Sequence, residues 1–143
     1  MFLYIVENAI ALAICLFAIR AGGSAERLAG FWFAASITVY VLLMTFQQAS
    51  PTLSLVNDGV FAVGLLPLAM IFVSWGIGVM TLIQAFSFAV EAFYLLTDRP
   101  IDAPYLMLMN WASVAIALTL LGSTVASILH RRAAGNPSAP ASA

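Results

Sequence analysis

The sequence predicts an all-α integral membrane protein, a bundle of about five transmembrane helices, and three observations carry that expectation. Hydrophobic residues make up 64% of the 143 residues and charged residues only 8%, whereas a soluble domain needs about a quarter of its residues charged. Mean hydropathy is +1.07. The apolar residues also fall into runs of about 17–25, the length that crosses a hydrocarbon core of about 30 Å as helix.

Residues 2–19 are apolar apart from Glu7 and Asn8, and at 1.5 Å per residue they make about 27 Å of helix. The first arginine follows this run instead of preceding it, which reads as a retained span and not as a secretory leader. Residues 20–27 combine paired glycines with flanking charges, a pattern that ends one helix and starts the next. The second span is expected over 28–46. A polar, proline-containing connection covers 47–57, with Asn57 or Asp58 placed to cap the third helix.

Between residues 59 and 97 the only charged residue is Glu91. A single helix of that length would reach about 58 Å, nearly twice the hydrocarbon thickness. Two spans are therefore expected, 59–75 and 77–97, broken at Ser74-Trp75-Gly76-Ile77-Gly78. Gly76 and Gly78 loosen the backbone there, and Pro67 kinks the third span. Asp98–Pro104 reads as a polar turn and 105–129 as the last span. The Ala-, Ser- and Pro-rich tail 131–143 is expected to be disordered, leaving 1–130 as a single transmembrane domain.

Arginine accumulates in cytoplasmic loops. Five spans put Arg20, Arg27, Arg131 and Arg132 on one side and Arg99 alone on the other. That asymmetry predicts an outside N-terminus and a cytoplasmic C-terminus.

Composition excludes several functions. Lysine is absent and the net charge is -1, so there is no basic surface for nucleic acid and no amine for a Schiff base. One cysteine, Cys15, and one histidine, His130, rule out an internal disulfide, bis-histidine haem ligation and thiolate or histidine-rich metal sites. No cofactor and no metal are expected, and no nucleophile motif is present.

Two patterns remain as candidate functional features. Ala112, Ala115, Thr119, Gly122 and Ala126 recur at steps of three and four along the last span. Small residues at that spacing let helices approach closely where apolar burial gives little drive. The second feature is a polar layer. With five spans, Glu7, Asn8, Asp58, Glu91 and Asn110 fall at similar depth in the outer leaflet, while Gln84, Ser87 and Glu91 share one face of the fourth span. A bare carboxylate in hydrocarbon costs about 2.5–3.5 kcal/mol on insertion scales. Glu91 and Glu7 are thus expected to be protonated, paired or hydrated.

The layer reads in three ways: an interhelical hydrogen-bond cluster, a contact for a larger partner, or a proton or cation site. The third lacks a matching polar set toward the cytoplasmic half. Aromatic residues such as Phe31, Trp32, Phe93, Tyr94 and Tyr105 sit where interfacial belts form.

The run Gly22-Gly-Ser-Ala-Glu-Arg-Leu-Ala29, with Val56-Asn-Asp58 opening the third span, resembles small uncharacterised alphaproteobacterial multi-span proteins. The sequence departs from that set at Ser74–Gly78, where the set carries a Trp-Pro pair and a Gly-Phe-Gln. The resemblance implies a bacterial inner-membrane location and no activity. The functional expectation is a non-catalytic accessory or assembly subunit of a larger membrane complex, partnered by the bilayer and by other membrane subunits or copies of itself. Two alternatives are kept. One is a small homo-oligomeric transporter or proton/cation channel using the outer-leaflet carboxylates. The weaker one is a lipid-acting enzyme with Glu91 and Asp58 as acid and base.

Overall fold

A computed structural model describes the backbone of residues 2–46 and 50–134, with side chains from residue 6 onward. Five α-helices follow one another: α1 (Phe2–Ala21), α2 (Ser24–Thr45), α3 (Pro51–Phe72), α4 (Trp75–Leu96) and α5 (Ala103–Ala134). No strand occurs among the described residues. Four of the helices, α2 to α5, are long and apolar enough to cross a membrane. Successive helices pack side by side, α5 closes back on α1, and α2 also reaches α4 and α5 across the middle.

Several boundaries differ from the sequence expectation, each for a local reason. Helix α3 begins at Pro51, well before residue 59, because Ser50 and Pro51 form a stronger start signal than Asn57 or Asp58. The Ser50 hydroxyl accepts from the Leu53 N–H at 3.2 Å, and proline at the first helical position gives up a donor that had no helical partner. Asn57 and Asp58 consequently lie inside α3 and cap nothing. Residues 47–49 of the expected connection lie outside the described residues. Pro67 is inside α3 as expected, and without an N–H it leaves the Val63 carbonyl lacking its usual donor.

The reversal between α3 and α4 is not at the paired glycines. It falls at Val73–Ser74, with Gly76 and Gly78 already in the first turn of α4. Val73 takes the left-handed conformation, φ 45° and ψ 37°, and its N–H closes on the Ala69 carbonyl at 3.2 Å. A β-branched residue there carries about 1–2 kcal/mol of strain. Its side chain is 86% exposed and packs on little. Val73→Gly is accordingly expected to stabilise the protein by about 1 kcal/mol, less the extra freedom glycine gives the unfolded chain. A thermal melt in detergent reads this as an upward shift.

Helix α5 also overruns its expectation. It starts at Ala103 and continues through Arg131 and Arg132 to Ala134, so the first four residues of the expected tail are helical. The rest, 135–143, lies outside the described residues. Arg131 extends this helix by donating from Nε to Ser127 O at 3.2 Å and from Nη2 to the Ala21 carbonyl at the end of α1.

The core is a thin axial column. Cys15, Ala18, Ala29, Phe33, Phe61, Leu65, Ile77, Met80, Ile116 and Leu120 are buried, and Phe33 stacks on Phe61 with ring centroids 5.3 Å apart. Many large apolar side chains remain exposed around it, Met70, Ile71, Leu82 and Trp111 among them. In water such a surface would drive aggregation; against lipid it is the expected exterior.

Candidate functional site: two buried polar clusters

Polar side chains gather at both ends of the column. At the end formed by the α2–α3 and α4–α5 connections, α4 contributes Gln84, Ser87 and Glu91, only 4%, 4% and 5% exposed. Spacing of three and seven residues aligns them on one face, and that face turns inward against α3. Gln84 Nε2 donates to the Asp58 carbonyl at 3.3 Å, and Tyr105 of α5 donates to Glu91 Oε1 at 3.4 Å. The Asp58 and Glu91 carboxyl groups face each other, and Ser54, one turn before Asp58, borders the same Glu91 carboxyl. Glu91 Oε2 is fully enclosed.

Tyrosines close this end. Tyr105 stacks on Tyr94 with centroids 4.8 Å apart, and Tyr94 donates to Asp102 Oδ1 at 3.2 Å. The same Asp102 oxygen accepts from the Tyr105 N–H at 3.0 Å and so caps the start of α5. Arg99, the nearest arginine along the chain, sits 5.3 Å over the Phe93 ring.

The expected polar layer is therefore two groups, not one. Asp58, Gln84 and Glu91 come together between α3, α4 and α5. Glu7 and Asn110 meet instead on the α1–α5 seam, where Asn110 Nδ2 donates to Glu7 Oε1 at 3.0 Å. Among the described residues, helix α1 packs on α2 and α5, which places Glu7 and Asn8 on the other flank of the bundle. Asn8 is half-buried and Asn110 is exposed.

A buried polar cluster also occupies the opposite end, where the sequence reading had expected none. Glu26 is 7% exposed, and its Oε1 accepts from Ser123 Oγ at 2.8 Å. Thr124 beside it is fully buried and donates to Leu120 O at 2.8 Å. Gly76 makes this meeting possible, since a Cβ there would stand 2.6 Å from the Ser123 Cβ. Gly76 is thus a contact point between α4 and α5, which explains a glycine that does not break a helix. By sequence alone Arg27 and the paired glycines around Glu26 read as loop, whereas α2 already starts at Ser24. Glu26 stands in that first turn, where the helix dipole favours an acid.

The small-residue stripe of α5 is not its packed face. The buried residues of α5 are Ile116, Ala117, Leu120, Ser123 and Thr124; at 100° per residue, Ala112, Ala115, Thr119, Gly122 and Ala126 centre about 120° away. Gly122 is exposed, and a Cβ added to it meets nothing within 4 Å.

These features define a chain that is helical across its described residues, with four helices long and apolar enough to cross a membrane and two buried polar clusters separated by an apolar layer of Ile77, Met80 and Leu120. Neither a protein-family model nor a curated protein nor a solved structure matches it.

Proposed function

We propose that this chain is a five-span inner-membrane protein, N-terminus outside and C-terminus cytoplasmic, serving without catalysis as an accessory or assembly subunit of a larger membrane complex. The carrying observation is the open side of α5 at Gly122. Ala112, Ala115, Thr119 and Ala126 of the stripe are half-buried, Gly122 is exposed, and the open space over it suits a partner helix whose backbone approaches closely. The Glu7–Asn110 pair supports the same reading, because a polar pair on an outer seam is better matched by another subunit than by lipid tails. Arginine asymmetry supports the orientation, and α1, with 20 residues, is long enough for the fifth span.

Gly122→Leu fills the open space without touching the chain's own core. On a blue-native gel after mild detergent extraction, the wild-type chain is expected to co-migrate with other proteins and the variant to run alone. The variant's own melting temperature should change by less than about 2 °C, as for a surface substitution. A wild-type chain that runs as a clean monomer or homo-oligomer overturns the subunit reading.

The enclosed Glu91 carboxyl favours a second reading, a small homo-oligomeric transporter or proton/cation channel. Polar groups at both ends are compatible with it, though Ile77, Met80 and Leu120 would have to part for anything to cross. Glu91→Gln would then abolish flux in proteoliposomes, whereas a subunit gives no flux to lose.

A further inference from the structure

We infer that the groove between the ends of α1 and α5 binds one anionic phospholipid, its phosphate on Arg131 and Arg132 and an acyl chain along Phe17 and Ile128. The inference is independent of the subunit reading. A groove of about 550 Å³ opens there, lined by Phe17, Ala21, Ile128, Arg131 and Arg132. Helix α5 has 32 residues, about 48 Å at 1.5 Å per residue, against a hydrocarbon core of about 30 Å. Its last turns therefore carry the arginines into the headgroup layer.

Positive charge at this end is uncompensated. Arg20, Arg27, Arg131 and Arg132 stand where α1 and α5 end and α2 begins. Among the described residues the one acid beside them is Glu26, and it is buried and turned inward to Ser123. Arg132 is exposed and has no hydrogen-bond or ion-pair partner among the described residues.

Arg131 is held in place but not used up. Its Nε donates to the Ser127 carbonyl of α5 and its Nη2 to the Ala21 carbonyl of α1, so the guanidinium bridges both walls of the groove. A guanidinium carries five N–H donors and stays charged, which leaves three for phosphate oxygens, the acceptors that arginine matches best. The bond to Ala21 also covers a carbonyl at the negative end of α1, which would otherwise repel an anion.

The walls favour a lipid over a free anion. Phe17 lies one turn before Ala21, and Ile128 one turn before the arginine pair. The groove is thus cationic at its mouth and apolar toward the membrane interior, in the order of a phospholipid's phosphate and acyl chain. Basic pockets between membrane helices hold anionic headgroups by this chemistry.

The test uses the full chain, purified in non-ionic detergent and delipidated, then mixed with equal amounts of phosphatidylglycerol and phosphatidylcholine of the same chain length. Native mass spectrometry should find one phosphatidylglycerol retained per chain, at least about fivefold over phosphatidylcholine, and phosphatidylglycerol should raise the melting temperature saturably. Inorganic phosphate should not. Arg132→Gln should weaken retention about fivefold, and Phe17→Ala, which keeps both arginines, at least twofold. Arg20→Gln, at the same end but outside the groove, should retain the lipid as wild type does.

Equal retention of the two lipids by wild type overturns the proposal, as does wild-type retention in Arg132→Gln. A loss in Arg20→Gln as large as in Arg132→Gln overturns the groove in favour of a diffuse basic end. An equal saturable shift with inorganic phosphate, or unchanged retention in Phe17→Ala, overturns the lipid in favour of a simple anion site. Both groove positions tested are substantially exposed, Phe17 at 40%, so the variants are expected to fold; a melt without added lipid checks this.

Discussion

Gly76→Val is expected to be among the most damaging single substitutions in this chain, lowering stability by about 3 kcal/mol or more. The first added carbon would already stand 2.6 Å from the Ser123 Cβ and 2.7 Å from its Oγ, well inside van der Waals contact. Ser123 cannot swing clear cheaply, because its hydroxyl is committed to Glu26. Helices α4 and α5 must therefore move apart, and overpacking of this kind costs about 1–3 kcal/mol before any hydrogen bond is lost. Separation also stretches the Ser123–Glu26 bond, adding about 1.5–3 kcal/mol for a bond to a charged group. Denaturation in mixed micelles measures the total. Adding Ser123→Ala to Gly76→Val should restore part of it, since contacting residues couple non-additively; strictly additive losses would refute this contact.

The second large effect is expected at Glu26, and its asymmetry is the informative part. Ser123→Val removes the donor and leaves Glu26 Oε1 buried without it, a loss of about 2–3 kcal/mol. Glu26→Gln keeps an acceptor at the same place and should lose about 1 kcal/mol or less. A Gln variant as unstable as Ser123→Val would mean that the charge, acting on the α2 N-terminus, matters more than the hydrogen bond. Both variants can be compared in the same unfolding experiment.

Much of the architecture was legible because it rests on length and apolar runs. Residues 59–97 had to be divided, and the structure divides them, although at Val73 instead of the glycines. The difference is physical. Glycine permits a turn but also permits contact, and sequence alone does not say which use a given glycine serves. At Gly76 the use is contact with Ser123.

Helical phase likewise made part of the site readable. Gln84, Ser87 and Glu91 share a face by spacing alone, and that face is buried. Which residues meet across helices was not readable in the same way. Glu7 and Asp58 lie at similar expected depth, yet α1 and α3 occupy different flanks, and depth carries no information about azimuth. The Glu26 cluster was hidden for a related reason, because Gly22 and Gly23 close directly on an acid that a local reading leaves in a loop. The α5 stripe shows the converse, a pattern visible in sequence that lies off the face the chain itself packs.

The position of Cys15 has a practical corollary. It is the chain's sole thiol and is 0% exposed, part of the buried apolar core. Maleimide reagents should therefore leave the native fold unlabelled, so that single cysteines placed in the loops or along α5 can be probed one at a time without first removing the natural one.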